Sequence, residues 1–172
     1  KIDGEQANAK NQVKNRLRFQ SFDDSFVPQE QYAYLMDAAE SHPSVSNYAM
    51  GVSAMAALDD GKLLVLEREF VVTSSKIGSF VENKIYCVDP VKSMTISQEK
   101  VLDADSPYMQ KTLIATWKTS LGLLRQNLAN YEGMCLGPRL ADGSQVIVLC
   151  ADSQDQYGGV LRDWFRTIII RS

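Results

Sequence analysis

The carboxylates that bracket residues 130–152 are the first side chains in this chain whose types and spacing could do chemistry. The stretch reads NYEGMCLGPRLADGSQVIVLCAD: an apolar segment at Met134, Cys135 and Leu136, an Ala-Asp-Gly turn at Ala141 to Gly143, and a second apolar run from Val146 to Cys150. Apolar runs on both sides of an Asp-Gly pair signal a β-hairpin, because glycine tolerates the positive φ of a tight turn. A hairpin folds back on itself, so Glu132 before the first run and Asp152 after the second should lie side by side, away from the turn. A second acidic group, Glu67-Arg68-Glu69, follows an apolar run in the same way. Clustered carboxylates suit a hard cation such as Ca2+, which takes about six to eight oxygen ligands. An arginine beside them adds a planar fork for an anion. The plainer alternative is a set of solvated loop ends, with Glu67-Arg68-Glu69 forming a structural ion pair with a neighbouring sheet.

Other constellations carry less. His42, the sole histidine, stands in Ser-His-Pro, where the following proline favours an extended or turn backbone and hence a solvated surface connection. GVSAM at Gly51 to Met55 lacks the second glycine of a nucleophile elbow, no strand-to-helix pattern follows Ser53, and a triad would have to recruit His42. There is neither a Walker loop nor zinc spacing, and DSQDQYGG at Asp152 to Gly159 misses the calcium-loop pattern of an EF-hand. Cys87, Cys135 and Cys150 have no C-x-x-C spacing and sit inside apolar runs. They read as buried free thiols, with a Cys135 to Cys150 bridge across the hairpin as the alternative.

The elements that must position these residues are mostly strands. Residues 1–15 are polar and read as a loop. Arg16 to Phe22 alternates with period two, and Gln31 to Leu35 answers it, which suggests a looser hairpin. GVSAMAALDDGKLLVLEREF, from Gly51 to Phe70, repeats the plan of apolar run, Asp-Asp-Gly turn and second run. Its Leu63 to Leu66 segment is unbroken by polar residues, as expected of a strand covered on both faces in stacked sheets. KIYCV at Lys84 to Val88 is a further strand, and WFRTIII at Trp164 to Ile170 a final buried one. Between them Met109, Leu113, Ile114, Trp117, Leu121, Leu124 and Leu128 share a helical face, while Thr112, Ile114 and Thr116 are β-branched. The expectation is a strand to Trp117 and then a short helix.

With 172 residues, 45% of them hydrophobic, the chain can bury a core as one domain. A net charge of -3 supplies no basic field for a phosphate backbone, which argues against nucleic acid as a partner. No apolar run approaches the roughly 18 residues of a membrane-spanning helix. The chain opens on Lys1 rather than Met, the start expected of a processed export precursor or of a piece cut from a longer chain.

NYEGMCLGPRLADG and GVSAMAALDDGKLLVLEREF, with IYCVD following, resemble the phytase-like family described as "esterase-like activity of phytase". The likeness extends through NRLRFQSFD and QYAYLMDA to the terminal strand, from about Asn15 to Ile170. It implies an all-β fold, a β-propeller-like array of antiparallel sheets, here a partial propeller of about two to three blades with a short helical insertion between Ser93 and Asn130. Residues 1–172 would form the C-terminal part of a longer propeller. An open array leaves sheet faces and edges unburied, so a missing N-terminal half or a second copy in a homodimer would join it, through Trp164, Phe165 and Ile168 to Ile170. In that geometry Glu132 begins an inner strand while Glu67, Arg68, Glu69 and Asp152 follow second strands, which puts them on one rim. The resemblance thus implies Glu67, Arg68, Glu132 and Asp152 as catalytic residues and Glu67, Glu132 and Asp152 as Ca2+ ligands, with Glu69 and Asp155 as outlying members. Bound Ca2+ would neutralise phosphate oxygens or polarise a water. The implied function is hydrolysis of a small phosphate or carboxylic ester by an exported protein, periplasmic, extracellular or surface-attached. The competing expectation is a non-catalytic propeller module that binds a ligand or a protein partner.

Overall fold

The computed structural model describes residues 2–3, 14–38, 45–124, 126–154, 159 and 161–171. His42 and Asp155 lie outside the described residues, as does most of the expected N-terminal loop. The strands in chain order are β1 (Ile2–Asp3), β2 (Lys14–Phe22), β3 (Pro28–Ala38), β4 (Val45–Ala57), β5 (Leu63–Thr73), β6 (Phe80–Val88), β7 (Thr95–Ile96), β8 (Lys111–Ser120), β9 (Tyr131–Arg139), β10 (Gln145–Ala151) and β11 (Phe165–Ile170). They form three antiparallel sheets: β1-β2-β3-β7, β4-β5-β6-β8 and β11-β10-β9.

The two Asp-Gly hairpins form where local chemistry puts them. Gly61 (φ 82°) and Gly143 (φ 85°) take the left-handed conformation their turns require. Both turns close with the same bonds: Gly61 N–H to Leu58 O and Leu58 N–H to Lys62 O, matched by Gly143 N–H to Leu140 O and Leu140 N–H to Ser144 O. Asp60 and Asp142 each accept from the backbone two residues on, at Lys62 and Ser144, the local bond that suits aspartate to turns.

The sheets stack face to face with β4-β5-β6-β8 in the middle. Alternation along β5 sends Val65 towards the first sheet, among Tyr34, Met36, Met50 and Val88, and Leu64 and Leu66 towards the third, among Ile85, Tyr131, Ile147 and Leu149. A strand sandwiched in this way has no wet face, which is why its apolar run is continuous. Each fully buried leucine contributes about 1.5–3 kcal/mol relative to exposure.

Several expectations are corrected. The fold is all-β, but the partial propeller with a helical insertion is overturned: the sheets are small and open, no strand of the third pairs with the first, and none closes or curls. Among the described residues the only helical element is a single 3-10 turn at Pro90–Lys92, capped by the Asp89 side chain. The expected helix is replaced by the extension of β8 to Ser120 and a reversal at the isolated bridge Leu121 to Gln126. Residues four apart share a strand face as well as a helix face, and the β-branched threonines of β8 favour the strand. Leu123 and Leu124 are 81% and 99% exposed, so no apolar stripe is left to bury a helix. The terminal strand forms, but as an edge: Ile168 and Ile170 pack inward while Phe165 and Ile169 stay exposed. All three cysteines are free, and Cys135 and Cys150 are exposed rather than buried. Their register, Cys150 opposite Gly133 and Cys135 opposite Val148, sets the two thiols diagonally across the hairpin.

Candidate functional site

Glu67 and Arg68 are successive residues in the middle of β5, so their side chains leave opposite faces of the middle sheet. Each heads a different polar cluster.

Glu67, 2% exposed, points towards the first sheet. Its Oε1 accepts from Tyr34 Oη at 2.5 Å and from Lys111 Nζ at 2.6 Å, and its Oε2 from the Asp37 backbone N–H at 3.1 Å. Lys111 also lies 2.7 Å from Asp37 Oδ1, while Asp37 Oδ2 accepts from Lys84 Nζ at 2.7 Å and Tyr86 Oη at 2.8 Å. Burial pushes the Asp37 carboxyl up, but hydrogen bonds from Lys111, Lys84 and Tyr86 outweigh it and hold the pKa down at about 2. Burial raises the Tyr34 phenol well above its ordinary value, and the adjacent Glu67 carboxylate raises it further. Tyr86 is raised in the same way by burial and by Asp37. Beside this network Glu69 accepts from Tyr48 Oη at 2.8 Å. Glu67, Asp37, Lys84 and Lys111 each have an opposite charge beside them and the phenols hold their protons, which makes the cluster a strut between sheets rather than a reactive group. The recess next to it, bordered by Asp37, Glu69 and Glu82, measures about 10 Å3, room for about one water.

Arg68 points the other way, to the third sheet. Its Nη1 donates to Glu132 Oε1 at 2.5 Å and to Asn130 Oδ1, and Asn130 Nδ2 donates to the same Glu132 oxygen at 2.7 Å. Asn130 is fully buried, whereas the Glu132 side chain is 34% exposed. Ser53 Oγ donates to Tyr131 O at 3.0 Å and ties this start of β9 to β4. Glu132 Oε1 is therefore fixed from two sides, while Oε2 has no hydrogen-bonding partner among the described residues.

The hairpin does return Asp152 to this end: its N–H donates to Asn130 O at 2.9 Å. Its exposed carboxylate instead accepts from the Gln154 N–H at 2.8 Å, closing its own loop. Of the four expected catalytic residues, Arg68 and Glu132 are joined, Asp152 is near in backbone only, and Glu67 faces away. A Ca2+ ligand set of Glu67, Glu132 and Asp152 does not fit this geometry, since Glu67 lies on the opposite face of the middle sheet with both its oxygens taken by Tyr34, Lys111 and the Asp37 N–H. Among the described residues no group of three or more His, Cys, Asp or Glu could hold a metal ion. A cavity of about 890 Å3 lies at the Asp-Asp-Gly turn end, lined by Lys62, Val88, Lys92, Met94, Tyr108 and Ile114, and includes none of the four.

Sequence reasoning missed Tyr34, Asp37, Lys84, Tyr86 and Lys111. The available signal was a charge at an inward position of an otherwise apolar strand, which demands a partner; the partner's identity was not local.

A family model described as "Phytase-like: Esterase-like activity of phytase" matches residues 2–154. The chain belongs to this phytase-like family. Membership assigns it to the hydrolases in general terms. The phytase-like match includes both polar clusters and ends before β11. Neither the curated proteins nor the solved structures gave a match.

Proposed function

We propose that this phytase-like chain hydrolyses a small phosphate or carboxylic ester, with Glu132 as the general base. The observation that carries the proposal is the unequal state of the two Glu132 oxygens: Oε1 is held by Arg68 and Asn130, and Oε2 is uncommitted on a side chain 34% exposed. A carboxylate fixed through one oxygen presents the other in a defined direction, the geometry a proton acceptor needs. Water attacks the ester carbon or phosphorus through its oxygen and gives its proton to Glu132. The bond to the leaving oxygen breaks, and that proton returns to the alcohol. Arg68 is a positioning residue that holds Glu132. No step is routed through Ca2+; a calcium requirement and an exported location stand as expectations to be measured.

The test uses the full chain with p-nitrophenyl phosphate and p-nitrophenyl acetate, with added Ca2+ and with chelator. Glu132→Gln should lower kcat by about 100-fold or more, the usual size of a general-base contribution, with the circular dichroism unchanged. Arg68→Lys should give an intermediate loss. No turnover of either ester by the calcium-loaded wild type, or full activity in Glu132→Gln, sinks the proposal. The second reading, a non-catalytic binding module, is favoured by the exposed Cys135, Cys150, Phe165 and Ile169 on the outer side of the third sheet.

A further inference from the structure

The joint between the middle and third sheets contains a cation that no described residue neutralises. Arg166 on β11 turns inward, with its guanidinium carbon 5.3 Å from the centre of the Trp117 ring and 5.9 Å from that of Tyr131. Its Nε–H is buried with no acceptor, and among the described residues Arg166 forms no ion pair. The other guanidinium of this joint, Arg68, is by contrast neutralised by Glu132. Aromatic faces attract a cation, but they do not satisfy N–H groups lying in the guanidinium plane. A buried donor without an acceptor is uncommon enough to require an explanation.

Beside Arg166 lies a cavity of about 200 Å3 lined by Thr119, Asn127, Tyr131, Trp164, Phe165 and Arg166. Its polar groups are biased to donors. Asn127 uses its Oδ1 on the Ser120 N–H, which leaves its amide N–H groups for a ligand. Thr119 Oγ1 is consumed by the Ala129 backbone, both as donor and as acceptor. The neighbouring Trp117 Nε1–H is buried and also lacks an acceptor. Among the described residues no carboxylate lines the space, and half of its lining residues are aromatic. Donors, an unopposed positive charge and ring walls select a ligand that brings acceptors and negative charge on a compact apolar body.

We propose that this cavity binds a small oxyanion, the carboxylate or phosphate of a ring-sized organic acid, with Arg166 as the anion-binding residue and Tyr131 and Trp164 as walls. The site is separate from Glu132. Arg68, Asn83 and Trp117 are successive cross-strand partners on β5, β6 and β8, so two strand spacings, about 10 Å, separate the Arg68 end from the Trp117 end. The proposal does not depend on the chain being a hydrolase.

The chain has two tryptophans; Trp117 stacks on Arg166 and Trp164 lines the cavity, so intrinsic fluorescence reports the site directly. The probes are benzoate, which carries no scissile ester, and phenyl phosphate, with benzyl alcohol as the neutral control. Benzoate or phenyl phosphate should change the emission saturably, the alcohol at least tenfold more weakly, and whichever anion binds tighter identifies the oxyanion. Arg166→Met should weaken the anion at least tenfold, and Arg166→Lys should retain part of the affinity. Should the methionine variant lose its fold by circular dichroism, Arg166→Lys and the wild-type preference for anion over alcohol decide alone. Glu132→Gln should leave benzoate binding intact, which separates this result from the fate of the hydrolase reading. Equal response to the neutral alcohol, no saturable change with either anion, or unaltered binding in folded Arg166→Met would reduce Arg166 to a cation–π strut and overturn the proposal.

Discussion

Asp37 is half-buried and still strongly acidic, because two lysines and a tyrosine reach it where a single partner would not offset the loss of water. Its folded pKa of about 2 lies below the unfolded value, which is about 3.9. A depressed carboxylate stabilises the fold above the unfolded pKa, and that contribution is lost as pH falls through the folded one. The stability difference between wild type and Asp37→Asn should therefore be full near neutrality, shrink below about pH 5 and be lost only towards about pH 1, as read from urea midpoints. The raised phenols act at the other limb. Tyr34 and Tyr86 contribute fully below about pH 10, the unfolded tyrosine value, and less as pH climbs above it. A difference that stays constant into acid would mean that Asp37 is not held by Lys84 and Lys111. Glu132, in contrast, is to be judged by activity: its substitution by Gln should cut turnover sharply while the fold survives, since the Gln amide oxygen can still accept from Arg68 and Asn130.

At the scale of the element, β9 and β10 are locked by a close approach. A Cβ added to Gly133 would meet Cys150 Sγ at 2.3 Å, whereas the Cys150 Cβ is 4.0 Å away. Because Sγ is the free end of an exposed side chain, Gly133→Ala should force Cys150 into another rotamer at a cost of about 0.5–1.5 kcal/mol, and most of that cost should disappear when Cys150→Ala is added. Thermal melts of the two single variants and the double variant measure the coupling, expected at about 0.5–1.5 kcal/mol; additive costs would refute the steric lock. This hairpin was legible in the sequence because its turn is local: an Asp-Gly pair and two apolar runs suffice. Leu63 to Leu66 was equally legible as a doubly covered strand. Glu67-Arg68-Glu69 was misread as the end of that strand, since three charged residues in a row ordinarily mark exposure. β5 in fact continues to Thr73, with Glu67 satisfied by Tyr34 and Lys111 and Glu69 by Tyr48. Those partners are distant in sequence, and no pattern along the chain names them. The helix expected after Trp117 failed for a different reason: β8 forms as expected but runs on through Thr119 to Ser120 and reverses at the Leu121 to Gln126 bridge, which leaves Leu123 and Leu124 in solvent with nothing to cover a helix face.

For the whole molecule, the arrangement of sheets sets which parts open together. β5 has a hydrogen-bonded neighbour on each side and packing on each face, whereas β11 has one neighbour and one covered face. Local opening follows the number of buried contacts an element must release. Amides of Leu64 to Leu66 and Phe70 to Val72 should accordingly exchange slowest, near the global unfolding free energy, and those of Arg166 to Ile170 markedly faster. The two joints should also differ. The joint with the first sheet is held partly by the Tyr34-Glu67-Lys111-Asp37 network, so Asp37→Asn should speed exchange in β3 before it affects β10. The joint with the third sheet is apolar at Leu64, Leu66, Ile147 and Leu149, and truncating Leu66 to Ala, at a cost of about 2–5 kcal/mol, should release β9 to β11 first. Native-state hydrogen exchange on the wild type and these two variants tests the ordering. Equal protection of β11 and β5 in the wild type would mean that the third sheet is stabilised by something other than its contact with the middle one. The site at Glu132 would then owe its geometry to its own hairpin rather than to Arg68 across the joint.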